Sequence, residues 1–383
     1  MNILIATALP GSPEAKGGMQ SGVNELALSL ADRGHKVSFL CGLVDRVPKG
    51  LLRGLPSIGT LGIRARLIIK LVGRKAARDT TQGYPVWRAL PPWEAIEWVV
   101  GQIKPDIIVI MSGQPVRMAL AARLTKIPVL LKLQNVEFHE HDGSFADLGN
   151  ISCVANSQFT ADRYREAFGV EPRVIHPLID GKKYRTETTR ENVTFINPHV
   201  AKGVEVAIAV ARHCPEIPFS FVESWKLGVN WRRTLESKLA EVPNIKLRSA
   251  VVDMRQIYGK CRILIAPSRW EEAYGRVAAE AQFSGIPVVA SKRGGLPEAV
   301  GSGGILLDPE SPIDDWVSAV KRLWHDPAYY SLLSAAAQSH SERPALTKAC
   351  QVDMWEEALA EAVDGSYHRL LQEAPAKPAR KSG

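Results

Sequence analysis

Short apolar runs alternate along this chain with stretches whose apolar positions recur at helical spacing. Asn2–Ala6 is an isoleucine-containing run broken by Pro10-Gly11-Ser12-Pro13, with Lys16-Gly17-Gly18-Met19 after it. Leu26, Leu28, Leu30 and Ala31 give Val23–Arg33 helical spacing, Gly34-His35 stops it, and Val37–Cys41 is a second apolar run. Strand, glycine-rich loop, helix, strand is a βαβ unit, which implies a parallel sheet covered on both faces. The alternation predicts further strands over 106–111, 129–133 and 152–155. Helices are predicted over 116–124 and 158–168, the second opened by Asn156-Ser157 as an acceptor-side loop or a helix cap.

Leu178-Ile179-Asp180 reads as a linker, after which a second alternating series begins. Its strands are predicted over 193–196, 218–222, 245–248, 263–266, 287–290 and 304–307, and its helices near 204–213, 232–241, 254–258, 276–284 and 314–324. Two doubly wound α/β halves in tandem predict two Rossmann-like domains facing a cleft, with ligands at the carboxyl ends of the strands. The expected boundaries are 1–180 for the first domain and 181–351 for the second. A C-terminal helix over 352–373 completes the first domain, and 374–383 is a disordered Pro/Ala/Lys-rich tail.

Composition fits a globular protein, with 45% hydrophobic and 23% charged residues. No apolar run reaches the roughly 20 residues needed to span a bilayer. The N-terminus lacks the basic leader of a signal peptide, so the cytoplasm is the expected compartment. Cys41, Cys153, Cys214, Cys261 and Cys350 are scattered without a C-x-x-C pair, which predicts reduced thiols and no zinc site. The net charge of +8 suits a polyanionic partner. The stretch from Arg53 to Arg78 interleaves seven Arg and Lys residues with apolar ones. Two readings stand for it: an amphipathic segment in peripheral contact with an anionic membrane at the inner face, or a solvated loop and helix packed on the first domain.

The densest chemistry lies at 267–298. Ile263–Ser268 is a strand ending in a turn, Arg269–Gly275 a loop, Arg276–Ser284 a helix, and Val288-Val289-Ala290 the next strand, followed by Gly294-Gly295 and Glu298. Glu272 lies in the loop and Glu280 inside the helix that the loop opens. Loop N–H groups and a helix N-terminus between them suit a phosphate. A carboxylate within the helix can accept two hydrogen bonds from a ribose diol.

The run Pro267-Ser268, Glu272-x7-Glu280-Ala281, Gly285-x-Pro287-Val288-Val289-Ala290, Gly294-Gly295, Glu298 resembles glycosyltransferase family 4, retaining enzymes of the GT-B fold. The resemblance implies a nucleotide-sugar donor, UDP- or GDP-linked, held mainly by the second domain, with the acceptor on the first. It implies that Glu280 binds the nucleotide ribose, that Glu272 sits against the donor sugar, and that the amides of Tyr274, Gly275, Arg276 and Val277 lie near sugar and diphosphate. Lys202-Gly203 matches the family's diphosphate-binding lysine, and Gly17-Gly18 its N-terminal glycine pair. No metal or other cofactor is implied, and no nucleic-acid partner is expected.

Two positions depart from the family pattern. Asn197 stands where an arginine is expected, removing one positive charge at the leaving group, with Arg269 and Arg276 as substitutes. Gln134-Asn135 stands where a histidine is expected, so Gln134 or Asn135 replaces its hydrogen bond to the donor sugar; His139 and His141 lie farther on. Lys202, Glu272 and Gln134 are therefore the expected catalytic residues. Two alternatives share the layout: a nucleotide-sugar epimerase, and a sugar-nucleotide-binding protein without catalysis.

Overall fold

A computed structural model describes residues 1–15, 17–43, 62, 65–66, 68–70, 72–224 and 227–366. The first sheet has eight strands: β1 (Asn2–Pro10), β2 (Lys36–Gly42), β3 (Ala76–Asp79), β4 (Val86–Ala89), β5 (Ile107–Met111), β6 (Val129–Leu133), β7 (Ser152–Ala155) and β8 (Arg173–Val174). They lie in the order β3-β4-β2-β1-β5-β6-β7-β8. All neighbours are parallel except β3 and β4. The second sheet is wholly parallel, in the order β11-β10-β9-β12-β13-β14. Its strands are β9 (Asn192–Ile196), β10 (Phe219–Val222), β11 (Ile245–Arg248), β12 (Cys261–Ala266), β13 (Val288–Ser291) and β14 (Gly304–Leu307).

Each sheet is buried on both faces, which is why the central strands read as continuous apolar runs. In the first sheet, Leu4, Ala6, Ile108 and Ile110 pack to one side, and Ile3, Ile5, Ile107 and Val109 to the other. The C-terminal helix Lys348–Asp364 returns to this second side, where Val352, Trp355, Ala358 and Leu359 join Ile3 and Ile5 in one core. Helix Ile313–His325 shows the matching logic on the second sheet. Trp316, Ala319, Val320 and Leu323 form its buried stripe, with Asp314 and Asp315 in its first turn and Arg322 and His325 in its last.

Several elements differ from the sequence expectation. The first helix starts at Gly18 rather than Val23: in its opening turn Met19 packs against the core and also lines the cleft, while Gln20 and Ser21 are polar and line the cleft, so the turn carries no clear apolar pattern. Strands β3 and β4, and helices Ile96–Ile103, Leu296–Val300 and Pro327–Ser341, are additional to the predicted set. The end of the basic 53–78 stretch is strand β3, not loop or helix. Earlier in that stretch, Ile68 and Ile69 pack with buried Ala65 against Leu43 and Ala77, while residues 53–61, 63, 64, 67 and 71 lie outside the described residues. The 367–373 end of the expected C-terminal helix and the 374–383 tail also lie outside them. Cys41, Cys153, Cys214 and Cys261 are buried thiols and Cys350 is half-buried. Among the described residues no helix is long and apolar enough to cross a membrane.

Candidate active site

The carboxyl ends of both sheets line one cleft with two adjoining chambers. The first, of about 330 Å³, is bounded by Gly18, Gln134, Asn197, Lys202, Glu272 and Tyr274–Val277. The second, of about 670 Å³, is bounded by Gly17, Gly18, Tyr184, Arg276, Val277 and Glu280. Gly18, Arg276 and Val277 belong to both. Every residue singled out in the sequence as catalytic or donor-binding therefore lines this cleft. Arg269 and His139 do not; both are exposed.

The floor of the first chamber is two loops knitted together. The N–H groups of Arg269 and Trp270 both donate to the carbonyl of Ala201, at 3.0 and 2.9 Å. A Cβ on Gly203, whose φ is +77°, would lie 1.8 Å from the carbonyl oxygen of Pro267, so this crossing requires glycine. Gly294-Gly295 packs on the same loop from the other side. The Gly295 N–H donates to the carbonyl of Glu272 at 2.6 Å, and a Cβ on Gly294 would lie 2.4 Å from that oxygen. The glycines of the motif thus fix the backbone that carries Glu272. Its carboxylate Oε1 accepts from Lys202 Nζ at 2.6 Å and from the buried Ser268 hydroxyl at 3.1 Å.

Helix Arg276–Gln282 begins its ladder with the N–H groups of Ala278 and Ala279 on the Gly275 carbonyl. Those of Arg276 and Val277 stand ahead of it at the chamber junction. Glu280 is 7% exposed; its Oε1 accepts from Arg276 Nε and its Oε2 from the Tyr258 hydroxyl, both at 3.1 Å. Burial pushes the Glu280 carboxyl above its usual range, with the Arg276 guanidinium pulling it back. Each carboxylate oxygen keeps a further lone pair for a ligand.

The Arg276 side chain is not available as the substitute cation suggested by the sequence. Its Nη2 donates to Glu25 Oε2 at 3.1 Å and to the Tyr184 hydroxyl at 3.2 Å, while its Nε serves Glu280. It is a buried link between the helix Gly18–Asp32 and the second domain. Asn197 adopts a left-handed backbone (φ 66°), its N–H donates to the Val222 carbonyl at 2.7 Å, and its Oδ1 is buried without a hydrogen-bond partner. Asparagine tolerates that conformation well. Gln134 donates to the Ser112 hydroxyl at 2.7 Å at the end of β6. His141 is buried among aromatic rings and bonded to the Tyr164 hydroxyl at 2.8 Å, and burial lowers its pKa to about 4.

Sequence reasoning missed two residues, Glu25 and Lys132, and one contact of Ser157. Glu25, a charged residue in helix Gly18–Asp32, is only 4% exposed. Ser157 does cap helix Gln158–Phe168, and it also donates to the Ala273 carbonyl, tying the domains together beside Glu272. Lys132, within Val-Leu-Leu-Lys-Leu of β6, is 6% exposed and lines the first chamber. A lysine inside an otherwise apolar buried strand was the available signal. Among the described residues no group of three or more His, Cys, Asp or Glu side chains is arranged to hold a metal ion.

Two parallel-sheet domains facing a cleft of this kind define the GT-B class. Solved structures agree: Anabaena Alr3699/HepE in complex with UDP and glucose superimposes with a TM-score of 0.69 at 21% identity, covering 94% of this chain and 99% of that one. Sucrose-phosphate synthase from Thermosynechococcus elongatus gives 0.69 at 16% identity, covering 98% and 100%. The profile described as Glycosyltransferase Family 4 matches residues 16–183, and that described as Glycosyl transferases group 1 matches 193–326. The chain belongs to glycosyltransferase family 4. Among curated relatives, the D-inositol 3-phosphate glycosyltransferase of Streptomyces bingchenggensis is 39% identical over 115 residues, 30% of this chain and 24% of that protein. The chain spans about a quarter of the length of the inositol-phosphate glycosyltransferases it matches.

Proposed function

We propose that the protein transfers a sugar from a nucleotide-sugar donor to an acceptor hydroxyl, with retention of anomeric configuration. The observation that carries this is the convergence of the Lys202–Glu272 pair and the buried Glu280 on one cleft between the domains. The nucleoside occupies the second chamber, where Glu280 accepts hydrogen bonds from the ribose hydroxyls. The sugar lies in the first chamber against Glu272 and Gln134. The diphosphate spans the junction, facing Lys202, the Gly17-Gly18 loop and the N–H groups of Gly275, Arg276 and Val277.

The acceptor oxygen attacks the anomeric carbon on the face from which the diphosphate departs. A leaving phosphate oxygen takes the acceptor proton, so no separate base is invoked. Lys202 and the fixed N–H groups stabilise the charge that develops on the diphosphate, and they need no reorganisation to do so. Holding both substrates across the cleft supplies the orientation. The leaving-group charge is assigned to these groups rather than to a metal ion, so turnover is expected to survive chelation. The Anabaena neighbour's complex with UDP supports UDP over GDP as the donor base.

The acceptor belongs on the first domain. The net charge of +8 and the basic 53–78 stretch favour an anionic or lipid-linked acceptor, in glycan or glycoconjugate synthesis at the inner face of a membrane. Co-sedimentation with anionic vesicles, with and without residues 53–75, tests that placement. The activity is tested with purified protein and a panel of UDP- and GDP-sugars. Nucleotide release that depends on an acceptor extract supports transfer, whereas an epimerised donor without free nucleotide would support epimerisation instead.

A further inference from the structure

We infer that Lys132, projecting from the first domain, binds the diphosphate of the nucleotide donor and replaces the cation missing at Asn197. This rests on the donor-site assignment above. Among the described residues, three cations line the first chamber, and they differ in how they are satisfied. Lys202 is paired with Glu272 at 2.6 Å. Arg276 is paired with two carboxylates, Glu25 and Glu280, each at 3.1 Å. Lys132 is more deeply buried than these, yet it has no carboxylate within ion-pair distance and no hydrogen-bond acceptor among the described residues; its ammonium lies 5.3 Å from the centroid of the Trp355 ring.

A buried ammonium without a counter-ion is unfavourable in the free protein. The groups facing it are Arg276 from the second domain, which repels it, and Glu25 from helix Gly18–Asp32, which attracts it but is already engaged by Arg276. Trp355 from the C-terminal helix contributes only its ring face. Burial and Arg276 together bring the pKa of Lys132 down to about 8. The site is therefore arranged for an anion that arrives later.

Position identifies that anion. Lys132 lines the first chamber with Gly18, Gly22 and Arg276, of which Gly18 and Arg276 also line the second. A donor with its ribose at Glu280 and its sugar at Glu272 carries its diphosphate through that junction. Asn197 lines the same chamber with an uncharged, unpartnered Oδ1. The positive charge has moved from the first strand of the second domain to β6 of the first, so diphosphate binding draws on both domains.

Calorimetric titration of UDP, GDP, UMP and GMP into the full-length protein tests this, with Lys132→Met, Lys132→Gln and Glu280→Ala alongside the wild type. Lys132→Met is expected to weaken the preferred diphosphate about tenfold or more, with the monophosphate changed less than about threefold. An unchanged diphosphate affinity, or equal losses for both nucleotides, overturns the assignment. If Glu280→Ala abolishes binding while both Lys132 variants bind normally, Lys132 is wrong and the donor site stands. If the wild type binds neither diphosphate, the donor site itself fails. Should the Lys132 variants not fold, the wild type suffices: its diphosphate affinity is expected to fall about tenfold between about pH 7.5 and pH 9.5, and a flat profile overturns the proposal.

Discussion

Lys202 Nζ lies 2.6 Å from Glu272 Oε1, joining two loops that are 70 residues apart in the chain. Both side chains are mostly buried, so neither partner is left indifferent when the other is removed. Lys202→Ala is expected to lower kcat about 100- to 1000-fold, the range for losing a preorganised charge-stabilising donor. The Lys202→Ala/Glu272→Ala double variant should lose less than the two single losses combined, since the residues are in contact. Steady-state kinetics of the four proteins check both statements; strict additivity would mean that the pair is not a functional unit.

Glu280 gives a pH prediction. Its carboxyl is raised above the usual range by burial, so on acidification it takes up its proton earlier than an exposed glutamate would. A protonated carboxyl is a weaker acceptor for ribose hydroxyls. Donor KM should therefore rise as pH falls, beginning above the ordinary carboxylate range, while Glu280→Gln should show a high KM, about 10-fold or more above wild type, that no longer responds to pH in that window. The folded-state pKa is the higher one, so the folded protein holds more protons between the two pKa values. Glu280 thus makes stability decline as pH rises through that window.

Lys132 gives the opposite pairing of stability and function. Its pKa falls from 10.5 to about 8 on folding, so between those values the unfolded chain holds more protons and wild-type stability rises with pH. At neutral pH the difference corresponds to a destabilisation of order 3 kcal/mol at about 1.4 kcal/mol per unit. Lys132→Met should therefore raise Tm at pH 7, and the gain should vanish above about pH 10.5. Thermal melts at several pH values measure this, and a lower Tm at pH 7 would show that Trp355 stacking outweighs the buried charge.

Gly203→Ala should be among the more damaging small substitutions. The backbone there is left-handed, and the added Cβ would meet the Pro267 carbonyl oxygen at 1.8 Å, an atom that cannot rotate away. A loss above about 2 kcal/mol is expected, read as a fall in Tm of about 4–8 °C. Because the same contact sets the Lys202 loop against the Glu272 loop, activity should fall further than the loss of stability explains.

Which parts of this molecule were legible in the sequence follows from what each residue depends on. The central strands β1, β5, β6, β9, β12 and β13 are apolar because both faces are covered, and the pattern exposes them. Strand β3, Ala76-Ala-Arg-Asp79, sits at a sheet edge and carries charge, so nothing in its composition marks a strand. Its neighbour β4 brings in Arg88, which is 1% exposed and reaches Asp79 Oδ2 and the Ser12 carbonyl, each at 2.7 Å, pinning the loop before Gly17. Helix Pro327–Ser341 is Ser- and Ala-rich with few buried positions, and its pattern is correspondingly weak. In the site, Glu272, Glu280 and Lys202 were legible because their local sequence fixes a loop and a helix start. Glu25, Lys132 and the contact that Ser157 makes beyond its helix cap were not, because they depend on the other domain: Arg276 for the first two, Ala273 for the third.

The most direct test of the central claim is acceptor-dependent release of nucleotide diphosphate from a UDP- and GDP-sugar panel, measured for wild type, Lys202→Ala and Glu280→Ala. The predicted result is release from one donor by the wild type, with product of retained anomeric configuration. Release should fall about 100-fold or more in Lys202→Ala, and donor KM should rise in Glu280→Ala. Unchanged release in both variants, or no donor consumed at any acceptor concentration, would contradict it.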